Sequence, residues 1–205
     1  MSIYGLLIGI AIVLFINYFQ KHNQSIPKNK ENLFLFLLII STFLSARLYF
    51  VLTQLSFFVS HPEEILNTRG GGLGFLGGII GATLFILIYT KLNKINLIKF
   101  TDSFITIVPL GQALGRLGNW INKEIYPVCI YELFLNLLLF FILLKTKKNK
   151  TATYLIIYSS IRFALEFLRD DALVYNLGKV ISLIGILLGI ILIRNDKYIS
   201  RRKSG

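Results

Sequence analysis

The chain is poor in everything that stabilises or functionalises a small soluble enzyme. It has one cysteine, Cys129, so no internal disulfide can form. It has two histidines, His22 and His61, far apart in sequence, and no spacing that reads as a metal site; no metal or cofactor is expected. Only 16% of its 205 residues are charged, and Asp and Glu together number 10. Soluble domains carry about 25% charged residues. Four prolines leave the apolar stretches largely uninterrupted. No low-complexity linker or internal repeat appears, and there is no room for a separate soluble domain. The first apolar run lacks a basic leader and a small-x-small cleavage site, and it reads as a retained helix.

What is present is hydrocarbon. Hydrophobic residues make up 55% of the chain, and mean hydropathy is +0.68. They fall in runs near the roughly 20 residues that cross a bilayer. The expected fold is all-α and polytopic, one transmembrane domain over 1–205. About seven spans are expected, near 3–20, 33–58, 73–92, 99–122, 130–145, 153–168 and 177–194. The net charge of +12 does not point to nucleic acid, because the cations are confined to alternate breaks. Lys21–Lys30, Lys91–Lys99, Lys145–Lys150 and Arg194–Lys203 hold most of them. The intervening breaks hold Arg69, Lys123, Arg169 and Lys179, and also Glu63, Glu64, Asp170 and Asp171. Basic loops stay in the cytoplasm. The N-terminus is therefore expected outside and the C-terminus inside.

Three arginines lie within apolar spans, Arg47, Arg116 and Arg162, as do Glu132 and Glu166. A charge at the bilayer centre costs at least about 2.5 kcal/mol, so it faces a partner or a wet cavity. The topology brings Arg116 and Asn119, Arg162 and Glu166, Tyr131 and Glu132, and Tyr4 towards the outer half of the membrane. Arg116 and Asn119 share a helical face, and Arg162, Glu166 and Arg169 form one stripe. A guanidinium fork matches a phosphate and keeps its charge when buried. An internal ion pair with Glu132 or Glu166, locking helices together, accounts for the same residues. Gly74, Gly77, Gly78 and Gly81 leave one smooth helix face, suited to tight helix packing or to the wall of a lipid groove. No Gly-Lys-Ser/Thr follows, which excludes a P-loop. His22 reads as a solvated loop residue, and His61 lies on the outer loop beside Pro62. Cys129, with no neighbouring His, reads as a packing residue.

The run Gly115-Arg116-Leu-Gly118-Asn119-Trp120-Ile-Asn122-Lys-Glu124 resembles the signature of the bacterial prolipoprotein diacylglyceryl transferases. Tyr4-Gly5-Leu6, Ala46-Arg47-Leu48, the glycines from Gly71 to Gly81, Asp102, Tyr131-Glu132 and Arg162-Phe163-Ala-Leu-Glu166-Phe167-Leu-Arg169 extend the likeness along the chain. The resemblance implies seven helices in the bacterial plasma membrane and an active site towards the outer leaflet. It implies transfer of diacylglycerol from phosphatidylglycerol to the lipobox cysteine of a preprolipoprotein, whose signal peptide is the protein partner. It assigns catalysis to Arg116, Arg162, Glu124 and Glu166, with the two glutamates orienting the arginines. Substrate contacts fall to Tyr4, Asn119, Asn122, Arg47, Tyr131, Glu132, Arg169, Gly77 and Gly78. Two features depart from the family. Its Phe-His-Gly-Gly stands here as Phe75-Leu76-Gly77-Gly78, and its fifth-helix His and Gln stand as Tyr126 and Cys129. The chain also lacks an outer-face insertion. A lipid-binding accessory protein of the same fold, without catalysis, is the alternative.

Overall fold

A computed structural model of the chain describes residues 3–68, 71–168 and 172–203, with side chains described up to 168 and from 178 to 195. Arg69, Arg169, Asp170 and Asp171 lie outside the described residues. Among the described residues the regular structure is helical and no strand occurs. The helices are α1 (Ile3–His22), α2 (Lys28–Thr53), α3 (Leu55–Ser60), α4 (Phe75–Leu92), α5 (Leu97–Phe104), α6 (Val108–Ile121), α7 (Val128–Lys145), α8 (Lys150–Leu165) and α9 (Ala172–Lys203). Short 3₁₀ turns cover Pro62–Leu66, Ile105–Ile107 and Glu166–Leu168. Every proline opens an element: Pro27 and Pro127 cap α2 and α7, and Pro62 and Pro109 sit in first turns. There the missing N–H is not needed.

Five helices are long and apolar enough to cross a membrane: Ile3–His22, Lys28–Thr53, Phe75–Leu92, Val128–Lys145 and Gly178–Asn195. Three expected spans differ from plain helices. The stretch expected at 99–122 is broken at Ile105–Ile107. Pro109 withholds its N–H from the carbonyl of residue 105 and its ring crowds that oxygen, so the helix restarts instead of running through. The span expected at 33–58 ends at Thr53, whose hydroxyl bonds back to Phe50 O at 2.8 Å. Gln54 leaves helical geometry (φ −125°), and α3 follows as a separate turn. α8 has 16 residues before it tightens into 3₁₀ geometry at Glu166.

The chain forms two compact units, residues 24–97 and residues 1–23 with 98–205. In the first, α4 lies along α2. A Cβ at Gly74, Gly77 or Gly81 would collide with Tyr49, Ser45 or Ala46, and Gly78 is buried against Thr42 and Ala46. The glycine face is thus used for close backbone approach. The Gly74 N–H donates to Ala46 O at 2.9 Å, and Ser41 Oγ donates to Gly81 O at 3.3 Å. Phe34, Phe85 and Tyr89 pack deeper in this pair.

In the second unit α6 packs on α1 and α7, α7 on α8, and α8 on α9. Phe15, Phe19, Phe100 and Phe104 form an aromatic cluster at one end. Leu139 and Leu143 are fully buried beside Tyr154. The backbone N–H and hydroxyl of Thr151 both donate to Asp102 Oδ1, at 2.7 and 2.5 Å, so a carboxylate from α5 caps the first turn of α8. Most other large apolar side chains on α1, α7 and α9 are exposed. In water that surface would be untenable, and in lipid it is the solvated face.

Candidate active site

The second unit gathers its buried charges where α6, α7 and α8 meet. Glu132, one turn into α7, is 3% exposed and ion-pairs with two arginines at once, accepting a hydrogen bond from Arg162. Arg116 Nε on α6 pairs with Oε2, and Arg162 Nη1 on α8 pairs with Oε1. Arg162 Nη2 also reaches Glu166 Oε2 at 3.1 Å, one turn along its own helix. Glu166 is fully buried, and its carboxylate fills the space that a Cβ at Gly178 of α9 would take. Arg116 Nη1 donates to Asn119 Oδ1 at 3.0 Å. Asn119 Nδ2 in turn donates to Glu124 Oε2 at 2.7 Å, and Asn122 Nδ2 to Glu124 Oε1 at 3.2 Å.

The result is one continuous line: Glu124, Asn119, Arg116, Glu132, Arg162, Glu166. Its fixed dipoles and charges are preorganised because each side chain is held from both sides, by a helix that cannot rotate and by its neighbour in the line. Breaking one link leaves a buried charge without its partner. Neither arginine is sealed: their side chains remain 20% and 18% exposed. Arg116 spends Nε and Nη1, and Arg162 spends both Nη groups, on these partners. The Nη2 of Arg116 and the Nε of Arg162 are the donors outside the line. An anion approaching the exposed edge meets two guanidiniums on adjacent helices.

Tyr4 of α1 lies against Gly118, where any Cβ would strike its ring. That contact ties the N-terminal end of α1 to α6. Gly115 has nothing within 4 Å of where a Cβ would be, so the backbone beside Arg116 is uncovered. Tyr131, next to Glu132 in α7, is exposed. Cys129 is fully buried, in keeping with a packing role.

Two assignments take a different form from the one the sequence suggests. Glu124 does not touch an arginine; it holds Asn119, which accepts from Arg116. The carboxylate paired with both arginines is Glu132, which the sequence reading offers both as a substrate contact and, with Glu166, as an internal ion-pair partner.

Arg47, Gly77 and Gly78 belong to the other unit. Arg47 is 8% exposed, and all five of its N–H groups face main-chain carbonyls of one loop. Nε donates to Ile65 O at 2.9 Å, and Nη2 to Glu64 O and Asn67 O at 2.6 and 2.8 Å. Nη1 donates to Gly72 O at 2.7 Å and Gly71 O at 3.3 Å. Phe50 and Phe58 flank the guanidinium at 5.6 and 5.3 Å. Gly72, with φ +76°, sits where a Cβ would hit Arg47 and Phe50. The loop is wound around the cation, which has no donor left over. The same residues, with Gln54 and Phe57, line a cavity of about 210 Å³.

The family model for prolipoprotein diacylglyceryl transferase matches residues 1–194. Curated relatives named phosphatidylglycerol–prolipoprotein diacylglyceryl transferase include one from Clostridioides difficile, 38% identical over 71% of this chain and 70% of its own length. One from Finegoldia magna is 31% identical over 92% and 88%. One from Bacillus cytotoxicus is 31% identical over 98% and 88%. Matches of this extent run through the signature helix, the glycine face and the Arg162–Glu166 turn alike, and the chain belongs to the prolipoprotein diacylglyceryl transferase family.

Proposed function

We propose that the protein transfers the diacylglyceryl group of phosphatidylglycerol to the lipobox cysteine thiol of preprolipoproteins. The observation that carries this reading is the pair of half-buried arginines, Arg116 and Arg162, held on opposite oxygens of Glu132 with donors to spare. In the reaction a sulfur–carbon bond forms at the glyceryl methylene, the carbon–oxygen bond to phosphate breaks, and glycerol phosphate leaves. Negative charge grows on the phosphate oxygens as that bond breaks. Two positioned guanidiniums lower the barrier by binding that charge more tightly in the transition state than in the ground state. Glu166 orients Arg162 and Glu132 orients both arginines. Asn119, Asn122 and Glu124 hold the far side of Arg116, and Tyr4 borders the site.

The seven-span arrangement belongs to the same reading. The broken segment at 97–121 and the pair of α8 with its 3₁₀ extension are the sixth and seventh crossings, each stiffened by neighbours where it is not one straight helix. The N-terminus lies outside and the C-terminus in the cytoplasm, which places the arginine cluster towards the outer leaflet of a bacterial plasma membrane.

The test is direct. Purified protein is incubated with phosphatidylglycerol and a lipobox peptide, and the peptide is weighed. The expected product carries a diacylglyceryl thioether. Leu76, standing where the family has His, favours a second reading in which the protein holds the lipid without transferring it. Tight phosphatidylglycerol binding by folded protein that yields no thioether would establish that alternative.

A further inference from the structure

A thiol must lose its proton to become the nucleophile, and within the unit that holds the arginine cluster the one imidazole, His22, lies away from it. The ring of His22 stacks on Tyr18 and its Nδ1 meets Tyr18 O at 2.9 Å, at the far end of α1. His61 does the same with Phe57 in the other unit. The Cys129 side chain is fully buried. Three carboxylates stand in the line itself. Glu124 is exposed and one asparagine removed from the nearer arginine. Glu166 is sealed between Arg162 and Gly178. Glu132 alone lies between the two groups that bind phosphate.

Resting on the function proposed above, we propose that Glu132 is the general base, unmasked when the lipid phosphate takes the arginines from it. The groups facing it are few. α6 offers Arg116, α8 offers Arg162 and, one turn below, Tyr158, while Ile105–Ile107 contributes nothing titratable. The buried core of the line is neutral without a ligand, two arginines against Glu132 and Glu166. A phosphodiester adds one negative charge to a site with little water to screen it. With both arginines on the phosphate, the two Glu132 oxygens are released to receive the thiol proton, and the negative charge passes to sulfur. The same swing uncovers Glu132, which is 3% exposed while the arginines cover it.

The step balances. The S–H proton passes to a Glu132 oxygen, sulfur bonds to the glyceryl methylene, and the electron pair of the broken C–O bond stays on glycerol phosphate. Arg116 and Arg162 hold that anion. As it leaves it takes the proton from Glu132, and the carboxylate returns to the arginines.

The experiment compares full-length wild type with Glu132→Gln in phosphatidylglycerol vesicles across pH 6 to 9.5. Removing a general base slows proton transfer about 10²–10⁴-fold. A free thiol ionises near pH 8.5, so the E132Q rate is expected to climb about tenfold per pH unit up to about that value. The wild-type rate stays flatter and the gap closes at high pH. A selenocysteine lipobox peptide, ionised at neutral pH, is expected to restore E132Q and to change wild type little. A deficit constant across pH and unmoved by selenium shows that Glu132 only aligns the arginines, and overturns the proposal. If E132Q does not fold, Glu132→Asp carries the test: a slower enzyme with the wild-type pH profile supports the base, and one as pH-dependent as the free thiol overturns it. Wild type that forms no thioether removes the transferase reading along with this one, whereas the E132Q comparison removes this one alone.

Discussion

At the level of single residues the protein solves one problem twice, with opposite results. Arg47 is buried and fully spent: five N–H groups on five main-chain oxygens. Arg116 and Arg162 are partly exposed and only partly spent, on carboxylates. Arg47→Lys cannot reproduce the planar fork, so the segment 62–74 should loosen and its cleavage by added protease should speed up several-fold. Arg116→Lys keeps the charge and loses the fork. Transfer to a lipobox peptide should fall by about tenfold or more, an amount set by the extra strength of charge-assisted bidentate bonds; full activity would exclude paired-donor phosphate binding at Arg116. Glu132→Ala leaves two partly buried guanidiniums without their carboxylate. A loss of about 3–5 kcal/mol is expected, read as an early unfolding transition in detergent. The apolar setting of these three arginines was legible in the sequence, because charge inside an apolar run stands out. Which of them is free to bind was not legible, because main-chain carbonyls are present everywhere and leave no mark in residue identity.

At the level of elements, the helices are placed by small residues and by one distant cap. Gly118 admits the Tyr4 ring, and Gly178 admits the Glu166 carboxylate. α8 has no side-chain cap of its own: Asn149 ahead of it is left-handed (φ 55°), and its side chain makes no capping hydrogen bond. Asp102 supplies the cap from α5. Asp102→Ala should cost about 0.5–2 kcal/mol and lower activity by shifting the helix that carries Arg162. Asp102→Asn, which retains an acceptor oxygen, should recover most of both, as unfolding temperature and product yield would show. Helix existence followed from apolar runs and prolines. The break at Ile105–Ile107 falls in a mainly apolar run, 104–110, that reads as continuous helix, although Pro109 is its physical cause.

For the whole molecule, charge asymmetry between alternate loops is the strongest statement about orientation. With Cys129→Ala as background, single cysteines at Lys30 or Lys148 should react with a membrane-impermeant thiol reagent only after cells are opened. One at Glu63 should react in intact cells. The reverse pattern would invert the topology and move the arginine cluster to the inner leaflet. Five helices meet the length and hydropathy of a crossing outright, and the two further crossings proposed above would depend on packing that composition does not record.

Composition, apolar run length and the position of each cation determined that the chain is a helical membrane protein, and the signature around Arg116 determined its family, since lipid and loop both select on residue type alone. Only the tertiary structure decided that Glu132 is shared by two arginines while Arg47 belongs to a loop. Those facts depend on which helix faces which, a matter of three-dimensional distance between residues 16 to 46 positions apart in the chain.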